Sequence, residues 1–148
     1  MTLVKAIPLL GAILLAPGCL SGPFASPDMD RAAKAFTPTD MRANVYVARD
    51  ASWPGYRCQV SIDGTVAGWI GSSSFALISV NPGTHVASCE MFDHTARARF
   101  LAEPGKNYFF DVVGSPGWNV PAVELRESDE ESGKALVIRG RLAAGVMP

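Results

Sequence analysis

Residues 56–70 read YRCQVSIDGTVAGWI and have the pattern of a β-hairpin. Apolar residues alternate in the first half, so that Cys58, Val60 and Ile62 fall on one face of a strand. Asp63-Gly64 follows directly and supplies the two residues of positive φ that a type I′ turn requires. The stretch therefore predicts an antiparallel sheet with one apolar face.

The two-residue turn also predicts a register for this hairpin. Ile62 should face Thr65, and Cys58 should face Trp69. This register places the Trp69 indole in the core beside Cys58, and the alternation places Tyr56 on the same apolar face.

Short apolar runs separated by Gly, Pro, Asn and Ser continue on both sides of the hairpin. The predicted strands are Asn44–Arg49, Tyr56–Ile62, Thr65–Ile70, Phe75–Val80, Thr84–Phe92, Thr95–Ala102, Lys106–Val113 and Val120–Arg126. Because helices long enough for parallel crossovers do not separate these runs, the sequence predicts a mainly β fold, an antiparallel sandwich of about seven strands. A small barrel is the alternative.

The C-terminal segment changes character after the last predicted strand. Ser128, with Glu131 three residues on, forms a capping box and predicts a short helix that ends near Gly140. Gly133 weakens this helix because glycine has low helix propensity. A strand over Ala135–Arg139 is the alternative.

The N-terminus has the pattern of a secretory signal peptide. Lys5 precedes an apolar run, Ala6 to Ala16, which is too short to span a membrane. The run leads to Gly18-Cys19, which resembles the lipobox of bacterial lipoproteins, and this resemblance implies acylation of Cys19. Leu20 after the cysteine implies the outer membrane, facing the periplasm, and an ordinary signal peptide cut near Ala25 is the alternative.

Three regions are expected from these patterns. Residues 1–18 are predicted to be a lipoprotein signal peptide, residues 19–42 a flexible tether, and residues 43–148 the sandwich domain with its C-terminal helix or tail. One helical turn at Asp30–Phe36 is compatible with the tether.

Two cysteines are left for the folded domain once Cys19 is assigned to the anchor. Cys58 and Cys89 lack the spacing of a CxxC redox motif or of a zinc site. In an oxidising compartment an even pair predicts a disulfide, and two separate buried thiols are the alternative.

Composition excludes several classes of function. The chain has 148 residues, 48% of them hydrophobic, and a net charge of −1. Nucleic-acid binding requires clustered basic residues, whereas Arg97, Arg99 and Lys106 read as an ordinary solvated face. We expect no nucleic-acid partner, no metal site and no cofactor.

The order and spacing of four runs resemble a known family. The runs are Asn44-Val45-Tyr46-Val47-Ala48-Arg49, Val60-Ser61-Ile62-Asp63-Gly64 with Gly68, Asn81-Pro82-Gly83-Thr84-His85, and Gly105-Lys106-Asn107-Tyr108-Phe109-Phe110. Over residues 43–124 they resemble the bacterial lipoproteins of domain of unknown function 2846, which look like PEGA-type β-sandwiches. The resemblance implies an envelope location and a sandwich, and it brings no catalytic residues.

The remaining candidates are two histidines and two tryptophans. His85 follows a Pro-Gly turn and is expected to bond a turn carbonyl, and His94 is expected in a polar turn with Asp93. Trp53 and Trp118 lie in Pro/Gly loops, where they would stack on a ligand or cover an end of the sandwich.

Three hypotheses follow. The first is a non-enzymatic, lipid-anchored envelope module that binds a partner protein or the cell wall. The alternatives are a small hydrolase using His85 or His94, and a glycan-binding module using Trp53 and Trp118.

Overall fold

The computed structural model describes residues 24–39, 41–51, 56–115 and 122–145 of the chain. Within these ranges two helices and nine strands are present. In chain order they are α1 (Pro27–Ala33), β1 (Ala43–Arg49), β2 (Cys58–Ile62), β3 (Thr65–Ile70), β4 (Ser74–Val80), β5 (Gly83–Met91), β6 (His94–Ala102), β7 (Asn107–Ser115), β8 (Ala122–Ser128), α2 (Glu130–Arg139) and β9 (Arg141–Leu142).

The strands form two sheets that pack as a sandwich. One sheet has five strands in the order β8-β7-β1-β4-β9, and the other has four in the order β3-β2-β5-β6. The predicted β-sandwich with a short C-terminal helix is confirmed. Two neighbouring pairs, β1 with β7 and β4 with β9, are parallel, so the five-stranded sheet is mixed rather than antiparallel throughout.

The main core lies between the two sheets. Its members alternate along each strand, as the period of two in the sequence predicts. The largest buried side chains on the five-stranded sheet are Val45, Val47 and Phe110, and they face Val60 and Ile70 of the other sheet.

A second apolar cluster lies on the outer face of the five-stranded sheet, under the two helices. Tyr46 and Phe109 stack there with ring centroids 5.1 Å apart. Leu136 and Val137 of α2 and Phe75 of β4 complete the contact. Because β1 is covered on both faces, all seven of its residues are buried.

The hairpin of residues 56–70 forms, and Ile62 pairs with Thr65 as predicted. The rest of the predicted register is wrong, because the pairing shifts by one residue within β3. Cys58 pairs with Ile70 instead of Trp69. A shift of one residue moves a side chain to the opposite face of a sheet, so the Trp69 indole points outward and is 50% exposed.

The shift has a cause in tertiary packing. Val60 pairs with Gly68 while Ser61 pairs with Val66, which leaves Ala67 as the extra residue of a β-bulge. A Cβ atom on Gly68 would lie 3.3 Å from the carbonyl oxygen of Ala144. The bulge and the glycine together let the C-terminal segment pass close to β3.

Helix α2 confirms the predicted C-terminal helix, and the alternative of a strand over Ala135–Arg139 is wrong. The predicted cap is displaced by one residue. The N-cap is Asp129, whose carboxylate accepts a hydrogen bond of 2.9 Å from the backbone N–H of Ser132. An aspartate at this position satisfies a free N–H group as a serine would, and its negative charge also complements the helix dipole.

The segment predicted as a flexible tether, 19–42, is different where the structure describes it. Helix α1 is capped by Ser26 and packs on the domain, with Ala33 buried. Tyr46 donates a hydrogen bond of 2.8 Å to the carbonyl oxygen of Ala33, and Asp30 accepts one of 2.7 Å from the backbone N–H of Leu142. Residues 24–39 therefore belong to the folded domain, and the apolar cluster under α1 supplies the reason.

Candidate functional site

Several predicted sites lie outside the residues that the structure describes. They are the signal peptide 1–18, the acylation site Cys19, and the loop tryptophans Trp53 and Trp118. Cys58, Cys89, His85 and His94 lie within the described ranges.

Cys58 and Cys89 lie on the adjacent strands β2 and β5 and point into the main core. Their Cα atoms are 5.7 Å apart and their sulfur atoms are at disulfide distance. Both residues are fully buried. The predicted partners are thus brought together. Trp69, expected in the core beside Cys58, points outward instead, and Ile70 is the residue paired with Cys58.

His85, near the start of β5, is held by hydrogen bonds at both ring nitrogens. Nδ1 lies 2.5 Å from a carboxylate oxygen of Asp63, and Nε2 lies 2.7 Å from the carbonyl oxygen of Asn81. Both partners can only accept, so the imidazole makes both bonds well only when each nitrogen carries a proton. Neither nitrogen is then available to accept a proton from a substrate.

The electrostatics of this pair follow from the geometry. The hydrogen bond to the Asp63 carboxylate raises the pKa of His85 above its usual 6.5, against the effect of partial burial. The same bond, together with one from the backbone N–H of Val86, lowers the pKa of Asp63 below 3.8. Each partner stabilises the charged form of the other.

The His85–Asp63 ion pair lies at one end of the sandwich, where it links two connecting segments of the fold. Asp63 is in the β2–β3 turn, whereas Asn81 is in the β4–β5 connection, so His85 links a turn of one sheet to the crossover between the sheets. A surface pocket of about 430 Å³ lies beside it, and there the Arg42 guanidinium donates to the Ser79 hydroxyl and carbonyl oxygens. The polar groups named here are bonded within the protein, as predicted for a structural histidine.

His94 is the first residue of β6, directly after the β5–β6 turn, at the other end of the sandwich. Its Nε2 is 3.6 Å from a carboxylate oxygen of Asp93, beyond hydrogen-bond distance, and both side chains are exposed. This geometry fits the predicted polar turn, since an oriented catalytic pair needs a short hydrogen bond between its members.

Exposed aromatic side chains gather at the His94 end. Tyr56 and Phe92 are 45% and 60% exposed, and their rings meet edge to face with centroids 4.9 Å apart. Trp69 is at the same end on the outer face of the four-stranded sheet. We call Tyr56, Trp69 and Phe92 the aromatic end.

The strand pairing explains why these three residues lie at one end. Gln59 of β2 pairs with both Trp69 of β3 and Glu90 of β5. Tyr56 precedes β2 by two residues and Phe92 directly follows β5. Sequence reasoning missed this group because Tyr56 and Trp69 were both expected on the core face. Tyr56 lies before the strand begins, so the alternation does not extend to it.

Strands β1 and β7, which precede Trp53 and Trp118 in the chain, both end at the aromatic end. The Arg49 side chain, at the end of β1, donates a hydrogen bond to the carbonyl oxygen of Tyr56. Strand β7 runs parallel to β1, with Ala48 opposite Asp111, and so it also ends at this side. The described residues that precede Trp53 and Trp118 in the chain therefore both lie at the aromatic end.

Two charged groups at this end have shifted pKa values. Burial lowers the pKa of the Arg49 guanidinium. Burial also raises the pKa of Asp111, the nearby Asp50 charge adds to that effect, and Arg126 opposes it.

Other predicted features have ordinary surroundings. Arg97, Arg99 and Lys106 are exposed, consistent with a solvated face. Among the residues that the structure describes, no three His, Cys, Asp or Glu side chains are grouped as metal ligands. Neither α1 nor α2 is long and apolar enough to cross a bilayer.

In comparisons with known proteins, no family model matches the chain and no curated protein matches its sequence.

Proposed function

We propose that this protein is a lipid-anchored component of the bacterial envelope and acts as a non-enzymatic binding module. The observation that carries the binding role is the aromatic end, Tyr56, Trp69 and Phe92. Its partner would be another envelope protein or the cell wall, reached from the outer membrane on the periplasmic side.

The exposure of these rings supports a contact surface. Burying three large rings in a small domain would stabilise it, so their position at the surface calls for a further reason. Aromatic residues are enriched at the centres of protein interfaces and stack on sugar rings. The described residues that flank Trp53 in the chain, and the end of β7 before Trp118, lie at the same end.

The anchor is supported by the sequence and by the cysteine pair. The Lys5 start, the short apolar run and Gly18-Cys19 have the lipobox pattern. The fully buried Cys58 and Cys89, at disulfide distance, favour an oxidising compartment such as the periplasm. The resemblance of residues 43–124 to the lipoproteins of domain of unknown function 2846, which rests on the sequence alone, implies the same location.

The alternatives differ in the support they receive. A glycan-binding role through Trp53 and Trp118 gains from the shared end of their flanking strands. A hydrolase using His85 is disfavoured because both of its ring nitrogens bond acceptors. His94 would need a partner other than Asp93 at its present distance of 3.6 Å.

The binding role is tested with purified peptidoglycan sacculi and with photo-crosslinking in intact cells. A crosslinking amino acid placed at Phe92 should capture a discrete product, and the Tyr56→Ala/Trp69→Ala variant should lose it or lose cosedimentation with sacculi. Leu101→Ala is the matched control, since Leu101 is 62% exposed and lies away from the aromatic end. Equal binding by both variants would refute the assignment.

The anchor is tested separately by labelling cells with an alkyne fatty acid. The wild-type chain should incorporate the label and fractionate with the outer membrane, and Cys19→Ser should do neither. Label incorporation that persists in Cys19→Ser would exclude this acylation site.

A further inference from the structure

Helix α1 fixes how far the domain can move from its anchor. Three contacts hold the segment: Ala25 donates a hydrogen bond of 3.0 Å to the carbonyl oxygen of Leu142, Lys34 donates one of 2.8 Å to that of Gly140, and Asp30 accepts one from the Leu142 N–H. The Lys34 ammonium also lies 2.8 Å from the Asp30 carboxylate, with both side chains about three-quarters buried. The folded domain thus begins by Phe24, which forms a β-bridge with Ala143.

This placement shortens the reach of the chain. A tether over residues 19–42 would span up to about 80 Å when extended, whereas five residues from Cys19 to Phe24 span at most about 18 Å. An acylated Cys19 would therefore hold the Phe24 side of the domain close to the lipid headgroups.

The surface beside Phe24 is basic. The Arg141 guanidinium lies over the Phe24 ring, 4.0 Å from its centroid, and the exposed Arg139 is two residues away on the last turn of α2. We call Phe24, Arg139 and Arg141 the anchor edge.

The acidic residues of α1 do not balance the positive charge of this edge. Asp28 pairs with Arg31, whereas Asp30 pairs with Lys34 and also interacts with the charge of Arg141. Two carboxylates thus stand against four cations, counting the two arginines of the anchor edge. In α2 the acids are confined to the first turn, at the opposite end of the helix from Arg139. The two arginines of the anchor edge therefore present an excess of positive charge next to the point where the chain leaves toward its anchor.

We propose that the anchor edge docks on the anionic lipid surface of the membrane that carries the protein. This inference rests on the proposed acylation of Cys19. The short reach keeps Arg139 and Arg141 within the range over which lipid phosphates attract basic groups. Docking there gives the domain one orientation, with the β9 edge of the five-stranded sheet toward the lipid.

The test uses the full-length acylated protein in vesicles of phosphatidylethanolamine and phosphatidylglycerol that contain a nitroxide-headgroup lipid. A thiol-reactive fluorophore is attached at Ile138→Cys, which is 59% exposed beside the anchor edge, or at Glu127→Cys on β8. Strand β8 lies four strand positions, about 19 Å, from β9, which carries Arg141 of the anchor edge. We therefore expect the label at residue 138, next to that edge, to be quenched at least about twofold more than the label at residue 127.

Two controls separate the contributions. A Gly/Ser linker inserted between residues 23 and 24 should make the two labels equally quenched. Charge reversal in Arg139→Glu/Arg141→Glu should weaken the difference, whereas the same change in the exposed pair Arg97→Glu/Arg99→Glu should leave it intact.

The outcomes distinguish this inference from the proposed anchor. Flotation with the vesicles that is unchanged in Cys19→Ser would overturn the anchor and this inference with it. Flotation that depends on Cys19, with equal quenching at both labels, would overturn docking by the anchor edge alone.

Discussion

Replacing Gly133 with alanine should destabilise the protein, although the change improves helix propensity. Gly133 lies in the middle of α2 and faces β7. A Cβ atom built on it would lie 2.3 Å from both Cβ and Cγ of Phe109 and 2.8 Å from Cδ1. Since Phe109 Cβ is fixed by the backbone of a buried strand, a rotamer change of the ring cannot relieve the contact.

The expected change in the free energy of unfolding follows from two opposing effects. Alanine in place of glycine inside a helix gains about 1 kcal/mol. Ordinary contact begins at 3.4 Å, so α2 must move about 1 Å away from β7. This movement opens a gap between α2 and the sheet, and a gap of about 1 Å removes a quarter to a half of the dispersion energy of the facing atoms. Here these atoms are those of Leu136 and Val137. Overpacking typically costs about 1–3 kcal/mol, and a backbone-fixed clash lies at the upper end, so we expect a net loss of about 2 kcal/mol.

The assay is chemical and thermal unfolding of the purified protein, followed by circular dichroism. A net loss of about 2 kcal/mol corresponds to a fall in Tm of roughly 8 °C for a domain of this size. Ala135→Gly, at an exposed position of the same helix, is the control and should cost about 1 kcal/mol through propensity alone. If Gly133→Ala instead raises the stability by the amount that the control lowers it, the close approach of α2 to Phe109 is refuted.

Two further predictions concern the core and the His85 ion pair. The double variant Cys58→Ala/Cys89→Ala should keep its β-sheet signal but lose up to about 3–4 kcal/mol, since the bridge would join residues 31 apart; two alkylatable thiols in the unreduced protein would contradict it. The raised pKa of His85 stabilises the fold fully below pH 6.5 and less as pH rises through the folded value, whereas the lowered pKa of Asp63 stabilises it above 3.8 and less as pH falls. The urea midpoint should therefore drop as pH rises past about 6.5 in wild type and in His94→Gln, and His85→Gln should flatten that part of the profile.

Several features of this protein could be read from local sequence because local chemistry decides them. The Asp63-Gly64 turn and the alternation around Val60 predict the β2–β3 hairpin, since positive φ and a period of two are properties of neighbouring residues. The acidic first turn near residue 129 predicts the start of α2 to within one residue. Cys58 and Cys89 were paired because they are the two cysteines that remain once Cys19 is assigned to the anchor.

Other features depend on segments that are far apart in the chain. The outward position of Trp69 results from the bulge at Ala67, where the C-terminal residue Ala144 approaches Gly68. Local alternation cannot report a contact across more than seventy residues, so the aromatic end stayed hidden in the sequence. The parallel pairing of β1 with β7 has the same origin, because partners in a sheet are chosen by the packing of the whole domain.

The N-terminal segment also shows the difference between what the local sequence predicts and what tertiary packing decides. Its Pro, Ser and Thr content is typical of a tether, and the sequence by itself determined only that a helical turn could form there. Tertiary structure placed α1 against the domain because the apolar surface around Tyr46 and Leu142 needed a cover. Gly133 is the counterpart in α2: glycine weakens a helix in isolation, but here the absence of a side chain lets the helix approach Phe109. Sequence determined which elements could form, and the burial of their surfaces against distant parts of the chain decided where each one lies.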